Sequence, residues 1–179
     1  MMEQPAEIAL HLQNIEELLL SPELSLCRKR MLNKDAEEFI VEEATALSRH
    51  APLKLKVYLS SIESKTAQRI PKAVHDHFAY LKENSRKKLK HTIQFGFRSL
   101  LIAFLFLTVI FLLTELGSRF MPRGGFALTI RESLIIVGWV ALWRPAELLL
   151  YEWYPFKRDA LLFHRLENSK VEVINGVSE

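Results

Sequence analysis

One cysteine, Cys27, stands in 179 residues, so a disulfide scaffold is excluded. Six glycines exclude a collagen-like repeat, and a hydrophobic share of 49% excludes an intrinsically disordered chain. No signal peptide is expected in the first twenty residues: Glu3, Glu7, Glu16 and Glu17 occupy the stretch that needs a basic start, and Leu18 to Leu20 is too short for an apolar core. Residues 1 to about 92 are therefore expected to stay cytoplasmic, where the Cys27 thiol is reduced. Catalytic groupings are lacking as well. No Ser/His/Asp order or Cys/His pairing can be argued from the scattered histidines without a fold, and Gly124 with Gly125 lacks the strand, helix and lysine of a phosphate loop. No enzyme activity and no cofactor are expected.

What is present is uneven. Residues 1–62 carry seven Lys/Arg against ten Asp/Glu, residues 63–98 nine against three, and residues 99–179 eight against eight. The positive excess is thus one block, and it ends where a long apolar run begins. Leu100 to Leu116 reads LLIAFLFLTVIFLLTEL, with no charge, Gly or Pro in its first fifteen residues. Extended back to about Gln94, it reaches the roughly 20 residues needed to cross a hydrocarbon layer of about 30 Å. Arg98 can snorkel to the headgroups from such a span. A helix apolar all round would otherwise need a core larger than this chain can build.

A second apolar stretch, Ser133 to Tyr154, contains Arg144, Pro145 and Glu147. A bilayer edge near Ser133 puts Arg144 about 16 Å deep, whereas an edge near Phe126 brings it toward the far interface. Either placement gives a transmembrane hairpin, with spans of about 94–116 and 131–153 joined by Gly117 to Glu132. Pro122, Gly124 and Gly125 are expected to end the first helix. Lys82, Arg86, Lys87, Lys88, Lys90 and Arg98 precede the first span, and Lys157, Arg158, Arg165 and Lys170 follow the second. The connection offers only Arg119, Arg123 and Arg131. Both termini are accordingly expected on the cytoplasmic side.

The remainder reads as an α+β domain of about three strands and two or three helices. Glu7 to Leu12 and Leu53 to Leu59 alternate as half-buried strands. Asn33 or Asp35 can cap a helix through Ser48, with Ala36, Phe39, Ile40, Ala44 and Leu47 as its apolar stripe. From Pro71 the pattern is helical, with Ile70, Val74, Phe78, Leu81, Leu89 and Ile93 on one side and no breaker before the first span. One long helix should run from the domain into the hairpin. Asp159 to Asn168 suits a helix and Val171 to Ile174 a strand, so residues 155–179 are expected to pack back on residues 1–92, leaving 93–154 as the membrane hairpin.

Three groups of side chains stand out. Arg144 and Glu147, three apart, share a helix face inside a span, where ionisable groups usually meet a partner charge, a protein interior or a water path. They read either as a structural ion pair, which is expected also to reach Arg98 or Glu152 on the cytoplasmic side, or as part of a polar path through an oligomer. Trp143, Tyr151, Trp153 and Tyr154 suit an interfacial aromatic belt. Arg86, Lys87, Lys88, Lys90, Arg98, Lys157 and Arg158 suit contact with anionic lipid headgroups. Aromatic interleaving is absent from the basic run, so no nucleic-acid partner is expected. His75 and His77 lie two apart, about 200° round a helix, and cannot easily share an ion, so no metal site is expected.

The segments DAEEFIVEEA (Asp35 to Ala44) and GWVALWRPAELLLYEWYPFKRD (Gly138 to Asp159) resemble an uncharacterised family of small bacterial membrane proteins. The resemblance implies a two-span protein of the bacterial inner membrane and brings no substrate or catalytic residue. In layout alone the chain is also similar to calcium uniporter pore subunits. Those carry an acidic motif at the start of the second span, where this chain has Arg131, Glu132, Ser133 and Leu134. The expected role is interaction or scaffolding. The alternative is a channel or transporter subunit, for which two spans require a homo-oligomer.

Overall fold

Strict alternation of Leu53, Leu55, Val57 and Leu59 with Lys54, Lys56 and Tyr58 produces a strand with one buried face, β2 (Leu53–Leu59). The computed structural model describes residues 6–19, 32–48, 51–60, 67–120 and 125–175. In it β2 is the centre of a three-stranded sheet, flanked by β1 (Ala6–Leu12) and β3 (Lys170–Asn175). Both neighbours run parallel to β2: Ile8 and Val171 stand opposite Leu55, and Leu10 and Val173 opposite Val57. Parallel neighbours cannot be joined by a tight turn, so each connection must cross over. The first crossover contains α1 (Lys34–Ala46); the second holds every residue between Leu59 and Lys170, including both long apolar helices.

α1 begins at Asn33, whose side chain accepts from the Asp35 backbone N–H at 3.5 Å, a long and weak cap. Its buried residues are Ala36, Ile40 and Ala44. The expected stripe needs one correction. Phe39 is exposed, and Val41 packs against the core in its place, because the buried face is centred on Ile40. Ile8, Leu10, Leu55, Val57 and Leu59 from the sheet meet Ile40 of α1, Ile70, Val74, Phe78 and Leu81 of the next helix, and Leu166 near the C-terminus. A fully buried side chain of this size contributes about 1.5–3 kcal/mol.

α2 (Ile70–Phe120) is a single helix of 51 residues. α3 (Gly125–Glu147) is followed by a π-helical turn, Leu148–Glu152, and by α4 (Tyr154–Glu167). The expected connection from Gly117 to Glu132 is therefore too long. Gly117 sits inside α2 with no atom within 4 Å of where a Cβ would lie, and Gly125 already begins α3. A glycine inside an apolar run does not by itself stop a helix. Pro122, Arg123, Gly124 and Cys27 lie outside the described residues, as do the side chains of Arg119 and Arg131.

Two compact units result, one formed by Met1–Arg86 with Arg158–Glu179 and the other by Lys87–Lys157. In the second, two helices are long and apolar enough to cross a membrane. Only 6% of the most apolar stretch of α2 and 17% of that of the second helix is buried, so neither stretch is packed into a core formed by the described residues. The hydroxyls within the apolar runs bond to their own helices. Thr108 donates to the Phe104 carbonyl at 2.8 Å, Thr114 to Ile110 at 2.8 Å and Ser133 to Thr129 at 2.9 Å. Hydrocarbon can surround such groups without leaving a polar hydrogen unpaired.

Candidate functional site

The charges inside the second apolar helix meet at one point. Arg144 donates to Glu147 Oε2 at 3.0 Å and to Glu152 Oε1 at 2.7 Å. The first contact follows from the spacing of three. The second depends on the π turn: eight residues of regular α-helix would leave Glu152 about 80° round from Arg144, and one widened turn takes back that rotation. One guanidinium thus bridges two carboxylates, and the cluster carries one net negative charge when all three are ionised. All three side chains are substantially exposed on the unit, Arg144 at 62%. Arg98, also exposed, makes no ion pair among the described residues.

Trp143, Tyr151 and Tyr154 are exposed, as an aromatic belt requires. Trp153 stands edge-on to Tyr154 with ring centroids 6.2 Å apart, and the Lys157 ammonium lies 5.4 Å from the Trp153 ring centroid, a cation–π contact. Lys87, Lys88 and Lys90 are exposed on α2, whereas Arg86 and Arg158 fall in the sheet unit. Trp139 and Trp143 are both exposed and build no cage.

A leucine of one helix enters a glycine gap of the other. A Cβ on Gly96 of α2 would lie 2.8 Å from Leu149 Cδ2, and one on Gly138 of α3 would overlap Leu107 Cδ2. Gly96 and Leu107 stand eleven residues apart along α2, and Gly138 and Leu149 eleven apart along the facing stretch, so the Gly96–Leu149 and Gly138–Leu107 contacts share one antiparallel register. Sequence reading passed over these glycines; their place inside otherwise large apolar side chains was the available signal.

In the sheet unit, the two histidines go separate ways. His75 Nε2 lies 2.9 Å from the Ser169 carbonyl, which can only accept, so this nitrogen carries the proton. His77 is fully buried, with Nε2 at 2.9 Å from Glu37 Oε2 and Nδ1 without a partner among the described residues. Arg165 donates to the carbonyls of Ser48 at 2.7 Å and Ala51 at 2.9 Å, Lys82 pairs with Glu167, and both contacts tie α4 to the rest of the unit. On the outer sheet face, Lys54 meets Glu172 at 2.9 Å, Lys56 meets Glu7 at 2.6 Å and Lys170 meets Glu172 at 2.9 Å. Hydrogen bonds from Lys54 and then Lys170 bring the Glu172 carboxyl down to about 2, and the bond from Lys56 lowers that of Glu7. No group of three or more His, Cys, Asp or Glu side chains able to hold a metal occurs among the described residues.

Comparison of the chain with protein-family models, with curated proteins and with solved structures found no match in any of the three. The functional reading consequently rests on the exposed apolar helices, the charge cluster within the second of them, the aromatic belt and the sheet unit.

Proposed function

We propose that this is an integral membrane protein whose two apolar helices cross the bilayer as a hairpin, with the sheet unit on the cytoplasmic side as an interaction or scaffolding module. One observation carries the hairpin. β3, which follows both apolar helices, pairs with β2, which precedes them. A chain that leaves a folded sheet and returns to it must cross a membrane an even number of times. The basic residues around positions 82–98 and 157–158 support the cytoplasmic side. The resemblance of Gly138 to Asp159 to small bacterial membrane proteins supports the bacterial inner membrane. An interaction role is favoured by α1, whose outward face exposes Phe39 beside Glu38, Glu42 and Glu43.

A homo-oligomer, and with it a channel or transporter role, is favoured by a different observation. Arg144, Glu147 and Glu152 lie open on the surface of the apolar unit, and a charged cluster facing lipid is better covered by a second copy. Carbonate washing followed by native mass spectrometry in mild detergent tests both readings. Retention in the membrane with a single copy fits the scaffold, and several copies fit the second reading. Release by carbonate contradicts both.

A further inference from the structure

We propose that Lys88, His91 and Thr92 of α2, with Phe156 of α4, form a binding groove for the phosphate of one anionic phospholipid. The proposal rests on the membrane reading given above. Lys87, Lys88, His91, Thr92 and Phe156 line a groove of about 350 Å³, all within the Lys87–Lys157 unit. Lys87 with His91, and Lys88 with Thr92, are each four residues apart, so their polar ends gather on one side of α2. That side offers ammonium, imidazole and hydroxyl donors, and among the described residues no carboxylate lines the groove. Lys87 has a further interaction of its own, and the site does not depend on its being free.

Phe156 gives the groove an apolar wall, and this favours a lipid over a soluble phosphate. Beyond Thr92, α2 continues into exposed Phe95 and Phe97 and, past Arg98, into the uncharged run from Leu100, a surface on which acyl chains can lie. Just before Phe156, Trp153 and Tyr154 form the aromatic pair and Lys157 covers the Trp153 ring, a combination that belongs at headgroup depth. Basic pockets beside membrane helices on the cytoplasmic side select anionic headgroups in this way. Diffuse attraction to a charged leaflet would instead treat every lysine of the run alike.

That difference is measurable on the full chain in mild detergent, with native mass spectrometry reading the lipid retained from added phosphatidylglycerol or phosphatidylcholine. One phosphatidylglycerol per chain is expected, with phosphatidylcholine retained at least fivefold less. Lys88→Gln should reduce phosphatidylglycerol retention at least threefold more than Lys90→Gln, which removes the same charge outside the groove. Thr92→Val should act in the direction of Lys88→Gln; if it lowers folded yield, the two lysine variants alone decide. Equal losses in the two lysine variants overturn the groove while leaving the membrane reading intact. Full displacement of the lipid by millimolar inorganic phosphate overturns the lipid as occupant. A chain soluble without detergent overturns the membrane reading itself.

Discussion

Arg144 reaches Glu152 at 2.7 Å across a π turn while holding Glu147 at 3.0 Å. One cation therefore serves two carboxylates, and removing it should leave both uncompensated in an apolar setting. Arg144→Leu is expected to lower folded, membrane-inserted protein several-fold. Adding Glu147→Leu should recover part of the loss, and adding Glu152→Leu most of the rest. The readout is membrane yield and thermal midpoint of the three variants. Additive losses at each step would show that the three side chains do not act together.

The glycine gaps make a graded prediction. At Gly96 a new Cβ meets Leu149 Cγ at 3.0 Å and Leu148 Cβ at 3.5 Å as well as the Leu149 methyl, so little can swing aside. At Gly138 only the terminal methyl of Leu107 is in the way, its Cγ being 3.7 Å off. Gly96→Ala should destabilise by roughly 1–3 kcal/mol, the usual range for overpacking, and Gly138→Ala by clearly less. Gly117→Ala, in open space, should be neutral or slightly stabilising. Thermal unfolding in detergent orders the three, and a reversed order of Gly96 and Gly138 would contradict the register.

The outer sheet face predicts an acid dependence. Glu172 titrates near 2 in the folded chain against an ordinary value of 4.5, so between those values the unfolded chain binds more protons. Its contribution is complete above about 4.5 and is lost as the pH falls toward about 2. Glu7 and Glu167, lowered by Lys56 and Lys82, act in the same direction. Glu172→Gln should therefore flatten part of the fall in stability below pH 4.5, and added salt should shrink the difference because Glu172 and its lysine partners still reach solvent. Denaturation midpoints across that range check it; identical slopes for the two proteins would remove Glu172 from the explanation.

Much of this architecture is legible in the residues. β2 was readable to its last residue because alternation over seven positions admits little else, and the unbroken apolar pattern from Ile70 revealed the continuity of α2. Direction was not readable: alternation marks a buried face, but whether β3 runs with β2 or against it is decided by where a crossover of more than one hundred residues returns. The Arg144 and Glu147 contact followed from helical spacing and Glu152 was a candidate partner beside Arg98, whereas the rotation that brings Glu152 round to Arg144 rests on a local change of helix type that no residue of LLLYE announces. His77 and Glu37 stand forty residues apart, and their meeting depends on how α1 packs against α2. Phe39 was misplaced because a stripe at steps of three and four can be centred on either of two adjacent faces.

The hairpin is tested most directly by the sidedness of the chain around α2 and α3. Alkaline phosphatase, active only after export, can be fused in separate bacterial strains after Glu179 and within residues 121–124. The expected result is high activity from the fusion at 121–124 and background activity from the fusion at Glu179. High activity at Glu179, or background activity at both sites with normal protein levels, would contradict a membrane hairpin that returns the chain to its own sheet.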